Sequence, residues 1–183
     1  DADAMTSEAS FVAEFGLSMP IDVNVGDLVE ITGTRKDRFD TVRIEDPTVT
    51  IISSGNTLPS FTDLTFPKTE QELQAFINMR VKFTHPMVIN EMFQLGRFGQ
   101  IRVSKDSRPY QYTQLNPPDV AGFAAHIADV EANSIFYDDG LNGQNNDVSL
   151  MDGFGPNYAT AIAPRMGDTA TALEGILELS FGA

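Results

Sequence analysis

The sequence predicts a mainly β protein, a small Greek-key barrel of short strands with one or two inserted helices. Three observations point there. Apolar and polar residues alternate in several short runs, the period that sends successive side chains to opposite faces of a sheet. Gly-Asp pairs stand ahead of two of these runs, at Gly26-Asp27 and Gly167-Asp168. Helical spacing occurs between strand runs rather than in a block of its own. Among such barrels the OB-fold is the specific expectation; periodicity alone does not separate it from a β-sandwich.

The elements follow in order. Residues 25–34, VGDLVEITGT, open on the Gly-Asp turn and alternate Val29 and Ile31 against Glu30 and Thr32. Residues 39–45 place Val42 and Ile44 around Arg43; Pro47 is expected to break the run, and 49–52 to resume it. Ser54-Gly55-Asn56 marks a turn, and the Ser/Thr/Pro-rich stretch 53–68 reads as a long connection. Thr69-Glu70-Gln71-Glu72 fits a capping box, followed by the short apolar stripe Leu73, Phe76, Ile77. Residues 80–84 set Val81 and Phe83 against Arg80 and Lys82, and 100–104 set Ile101 and Val103 against Arg102. A second helix is expected from Asn116 as N-cap, with Pro117-Pro118 in its first turn. Its stripe Val120, Phe123, Ile127, Val130 has the spacing of a core-packing face, which puts His126 on the polar side. Residues 138–160 hold turn formers without periodicity. The last strand turns Leu173, Leu177, Leu179 and Phe181 inward and Glu174 and Glu178 outward, with Gly175 in the inward set. Strands on both sides of each connection serve one sheet system, so a single domain over 1–183 is expected.

Composition narrows the function. With 42% hydrophobic residues in 183, the chain can bury a core, and no apolar run reaches the roughly 20 residues of a membrane span. The absence of Cys excludes a disulfide scaffold, a thiolate metal site and a Cys nucleophile. The formal charge of −14 argues against a surface that grips nucleic acid everywhere. The charge is nevertheless uneven. Between Arg35 and Arg108 stand eleven of the twelve cations and nine acids, a net +2; the flanks carry one cation, Arg165, and 17 acids, a net −16. A local basic face on an acidic body and an ordinary solvated surface both fit that split.

Nucleic-acid chemistry needs cations along a backbone and rings under bases. The stretch from Arg97 to Tyr112 offers both: Arg97, Phe98, Arg102, Lys105, Arg108, Tyr110 and Tyr112. Phe98, in Gly96-Arg97-Phe98-Gly99, suits a hairpin tip or a return into the core equally. A second cluster, Arg35, Lys36, Arg38 and Arg43 with Phe39, falls where a barrel would place a loop, and Asp37 and Asp40 interrupt it. Arg80 and Lys82 form a third patch. Convergence of the three would make a binding groove; dispersal would leave solvated charges.

The motifs also resemble a known family. VGDLVEITGT at 25–34, ISSGNTLP at 52–59, LGRFGQIRVS at 95–104, YDDG at 137–140 and RMGDTATALEGILELSFGA at 165–183, after DADAMTSE at 1–8, stand in the order found in the OB-like domain of ExeM/NucH-type extracellular endonuclease/exonuclease proteins. The resemblance covers nearly the whole chain. It implies an accessory module of a secreted bacterial nuclease, with DNA and an adjoining metal-dependent nuclease domain as partners. The Mg²⁺ or Ca²⁺ such enzymes use would belong to that other domain, whose catalytic His and Asp residues have no counterparts here. Both ends of the chain, relative to the family, read as trimmed, and a signal peptide would precede it. A structural role, packing on the nuclease domain without touching DNA, is the competing reading.

Two further chemistries remain. Asp138, Asp139, Asn142 and Asp147, with Asn145 and Asn146, make an oxygen-rich loop of the kind Ca²⁺ uses, although it lacks EF-hand spacing; Asx-Gly turns explain the same residues without a metal. Asp1 and Asp3 form a second such pair. Catalysis by this chain is not expected: His85 and His126 lie 41 positions apart, and no Gly-rich phosphate loop opens a helix.

Overall fold

The structure is a computed structural model that describes residues 7, 9–13, 22–38, 41–140, 143–145 and 164–179. It is mainly β, as expected. Its strands form three sheets, none of them closed into a barrel among the described residues. The chain divides into two compact units. The first takes the residues up to Thr62, Gln74–Val81 and those from Gly175; the second takes Asp63–Leu73 and Lys82–Glu174. Among the described residues no helix is long and apolar enough to cross a membrane.

The first unit is built on a long antiparallel hairpin, β2 (Leu28–Arg38) and β3 (Thr41–Ser53), with the two-residue strand β1 (Phe11–Val12) parallel to β3 on its other side. Its entry turn explains the Gly-Asp signal. The Asp27 N–H donates to the Asn24 carbonyl at 3.0 Å, the Asn24 N–H donates to Asp27 Oδ2 at 2.8 Å, and Gly26 between them has φ of 96°. Positive φ at the third position of such a turn favours glycine. Hydrogen bonds from Ser54 and from the Asn24 N–H hold the Asp27 carboxyl below the ordinary Asp range.

Two expectations fail here for one reason. Pro47 does not break the strand, and residues 35–38 are not a loop: β2 continues to Arg38 and β3 runs unbroken from Thr41. The pairing passes from Thr32 opposite Thr48 to Thr34 opposite Glu45, so Gly33 faces the two residues Asp46 and Pro47. This bulge absorbs the proline, which has no N–H to give to a ladder. Phe39 and Asp40 lie outside the described residues.

The second unit carries a four-stranded antiparallel sheet in the order β8 (Ser134–Tyr137), β7 (Ile101–Lys105), β6 (Met87–Glu91), β9 (Thr169–Ala170). Its core is Phe66, Met87, Ile89, Leu95, Ile101, Val103 and Leu173. The central strand β6 buries Met87, Val88 and Ile89 in succession, so it shows no alternation and escapes a period-two reading. Strand β8 directly follows a helix and escapes for want of a turn signal. The turn ahead of β9 repeats the first unit's device. The Asp168 N–H donates to the Arg165 carbonyl at 3.0 Å, the Arg165 N–H donates to Asp168 Oδ2 at 2.8 Å, and Gly167 again has φ of 96°.

The expected capping box is present ahead of α1 (Glu70–Leu73). The Thr69 N–H donates to Glu72 Oε2 at 2.7 Å and the Glu72 N–H donates to Thr69 Oγ1 at 3.3 Å. The backbone bond and then the hydroxyl bond from Thr69 hold the Glu72 carboxyl below the usual Glu range. A depressed folded value means that the stabilisation is whole above the unfolded value and is lost as pH falls through the folded one. The stability advantage of the native chain over Glu72→Gln is therefore expected to be whole near neutral pH, to shrink as pH falls below the ordinary Glu range of about 4.3, and to vanish only below the depressed folded value. Urea midpoints of the two proteins across that range check it.

The second helix departs from expectation. It is α4 (Val120–Ala132), capped by Asp119, whose Oδ2 accepts from the Gly122 N–H; Asn116 instead ends a separate short helix, α3 (Tyr112–Leu115). The stripe is not core: Val120 is 88% exposed, Phe123 48% and Ile127 38%. At the chain's end, β10 (Glu174–Ile176) is only three residues long. Leu173 and Leu177 are buried as expected, whereas Gly175 is exposed. Phe181 lies outside the described residues.

Candidate functional site

The hairpin of the first unit shows what becomes of its basic cluster. Its register places Lys36, Arg38, Arg43 and Glu45 on one face, and Arg35 and Asp37 on the other. Glu45, almost fully buried, pairs with Arg38 Nε at 2.7 Å and with Lys36 Nζ at 3.5 Å. Arg35 pairs with Asp37 at 3.2 Å. Arg43 is itself buried: its Nη2 donates to the Arg38 carbonyl at 3.2 Å, and its guanidinium lies 5.7 Å from the centre of the Phe11 ring. Arg80, also in this unit, bonds the Pro59 carbonyl and stacks 4.0 Å over the Phe61 ring.

In the second unit the LGRFG run is neither a hairpin tip nor a strand. It forms the one-turn helix α2 (Leu95–Phe98), closed by Gly99 at φ 71°, with the Gly99 N–H donating to the Leu95 carbonyl at 3.0 Å. Leu95 enters the core and Phe98 is half-buried. Arg97 lies 4.8 Å over the Phe98 ring and donates through Nε to Gln144 Oε1 at 3.1 Å. Lys82 pairs with Asp63 at 3.3 Å. Arg102 lies 5.6 Å from the Phe136 ring and donates through Nε to Ser134 Oγ at 2.9 Å; Ser134 in turn donates to the Val130 carbonyl at 2.6 Å. That chain satisfies a carbonyl in the last turn of α4, where no further helical N–H can reach it. Lys105 donates to the Phe66 carbonyl at 2.8 Å. Arg108 is exposed and makes no ion pair among the described residues.

The end of β7, the loop after it, α3 and the second half of α4 enclose a cleft of about 240 Å³. Tyr110, Tyr112 and Lys105 line it, together with residues the sequence did not single out as binding candidates: Ser107, Asn116, His126, Asp129 and Asn133. Tyr112 forms the aromatic wall, with its ring 6.2 Å from Phe123 edge-on and 5.8 Å from His126. His126 is therefore half-buried in an aromatic contact rather than on a polar face. The Tyr112 hydroxyl lies against Gly122, where a β-carbon would overlap it. Tyr110 is 63% exposed at the rim. Asn133 Nδ2 donates to the Asp129 carbonyl at 2.9 Å and to Asp129 Oδ1 at 3.1 Å. His126, Asp129 and Val130 fall at i, i+3 and i+4 on α4, the one signal by which the sequence could have brought them together.

Of the four oxygen donors considered for Ca²⁺, Asn142 and Asp147 lie outside the described residues, as do Asn146, Asp1 and Asp3. Asp138 Oδ1 accepts from the Gly140 N–H at 2.8 Å, an Asx turn, and the Asp139 carboxylate is packed against Gly99. Among the described residues no three His, Cys, Asp or Glu side chains gather as a metal set.

Comparison with known proteins finds no matching family model, no matching curated protein and no matching solved structure.

Proposed function

We propose that this chain is a non-catalytic, OB-like accessory module of a secreted metal-dependent nuclease, which helps hold or orient single-stranded DNA for an adjoining catalytic domain. The motif order from VGDLVEITGT to RMGDTATALEG supports the context. One observation carries the binding role: in the second unit, Tyr110 and Tyr112 border a cleft that Lys105 also lines, with the exposed Arg108 two residues from Tyr110. Rings that can stack on a base, beside cations that can meet phosphate, are the chemistry of single-strand binding. The first unit favours the other reading, a structural module that touches no DNA, because Lys36, Arg38 and Arg35 already have carboxylate partners.

A fluorescence-anisotropy titration of a labelled single-stranded oligonucleotide separates the two. The binding role predicts weak affinity that falls with salt. Tyr110→Ala should cost about 1–3 kcal/mol, the usual worth of one stacked base. Arg108→Ala should reduce the log–log salt slope by about 0.7, the share of one phosphate contact on a single strand. Failure to bind at low salt, with Mg²⁺ or Ca²⁺ present, would leave the structural reading.

A further inference from the structure

We infer that the cleft beside α4 reads guanine: Asp129 accepts hydrogen bonds from the Watson–Crick edge of a base stacked against the cleft's aromatic wall. This rests on the single-strand binding role proposed above and adds a base preference to it. The argument begins from an acceptor without a cation. Asp129 lines the cleft, and among the described residues no Lys, Arg or His pairs with it. Among the described residues its side-chain partner is the Asn133 amide, on Oδ1 at 3.1 Å. A carboxylate offers about four lone-pair sites over two oxygens, so Oδ2 and the rest of Oδ1 remain for a ligand. The Asn133 bonds also fix the rotamer, because the same Nδ2 is tied to the Asp129 backbone carbonyl.

A carboxylate repels phosphate, so this group cannot serve the backbone; it can serve only a donor. Among the four DNA bases, guanine alone presents two adjacent donors on its Watson–Crick edge, N1–H and the N2 amino group, which match the two oxygens of one carboxylate. Adenine and cytosine each place an acceptor beside their single amino donor, and thymine places carbonyls on both sides of its one N–H. Tyr112, braced by Phe123 and by the close approach at Gly122, supplies the ring on which such a base would stack.

The test uses the full chain and thymidine oligonucleotides that differ at one central position. An oligonucleotide with central dG should bind roughly tenfold tighter than those with central dA, dC or dT, the discrimination that one bidentate side chain–base pair supplies. Central deoxyinosine, which keeps N1–H and lacks the N2 amino group, should lose most of that gain, and this comparison needs no altered protein. Asp129→Asn should level dG with dA while binding to the other oligonucleotides persists. Equal affinity for all central bases, or a dG preference that survives Asp129→Asn, would overturn the inference and leave the binding role standing. Absence of binding to every oligonucleotide would overturn both.

Discussion

Phe66→Ala should lower the stability of the chain by about 3–5 kcal/mol, the cost of removing a large aromatic side chain from a closed core. Phe66 is 2% exposed and lies among Met87, Ile89, Leu95, Ile101, Val103 and Leu173. Its ring meets Phe83 at 5.2 Å and His85 at 6.1 Å. The backbone at this residue is held as well: the Phe66 N–H donates to His85 Nε2 at 3.0 Å, and its carbonyl accepts from Lys105 Nζ at 2.8 Å. Truncation therefore opens a cavity and loosens the segment that fixes Lys105 beside the cleft. Phe66→Leu, which keeps most of the volume, should cost clearly less. Urea denaturation of the three proteins checks the order, and a native-like midpoint for Phe66→Ala would contradict this packing. A loss of single-strand binding in Phe66→Ala under conditions where the protein is still folded would tie the core to the cleft through Lys105.

Gly99→Ala should also destabilise strongly, for a different reason. Gly99 has φ of 71°, and a β-carbon in that left-handed conformation costs about 1–2 kcal/mol. The new methyl group would in addition occupy the place of the Asp139 carboxylate, which lies well inside contact distance of it. The steric part can be separated from the backbone part. Asp139→Ala in the Gly99→Ala background removes the collision and leaves the conformational penalty, so the double variant should lose less than the two single changes added together. Additive losses would show that Asp139 does not press on this glycine. The result also gives a physical reason for the glycine that ends LGRFG: helix α2 terminates there, and the carboxylate of Asp139, two residues past β8, lies where its β-carbon would be.

Much of the local structure was legible beforehand. The turn at Asn24–Asp27 and its counterpart at Arg165–Asp168 were readable because each is closed by bonds among four consecutive residues. The Thr69–Glu72 capping box was readable for the same reason. Alternation located β7 and β5 (Arg80–Phe83), since Val81, Ile101 and Val103 are buried and Lys82 is exposed. What misled was always a matter of partners. Pro47 looked like a strand breaker because the bulge that accommodates it depends on Gly33, fourteen residues earlier. The stripe of α4 looked like core because spacing describes a face without saying what, if anything, covers it. The N-cap assigned to Asn116 belonged to Asp119, whose side chain reaches the Gly122 N–H. Strand β6 was missed because burial on both faces erases the period on which the reading depends.

The candidate site divides along the same line. Sequence alone determined that cations are concentrated between Arg35 and Arg108, that Tyr110 and Tyr112 stand near Lys105 and Arg108, and that the chain has no Cys and two His. Only the tertiary structure decided which of those cations already have partners: Arg38 and Lys36 on Glu45, Arg102 on Ser134, Lys105 on the Phe66 carbonyl, and Arg97 on Gln144. It alone brought His126, Asp129 and Asn133 to the tyrosines. The reason is the range of the interactions. Turns, caps and alternation are satisfied by atoms a few residues apart, so the order of residues encodes them directly. A charge or a ring takes its role from whatever the fold places beside it, and for Lys105 and Phe66 that neighbour is 39 residues away.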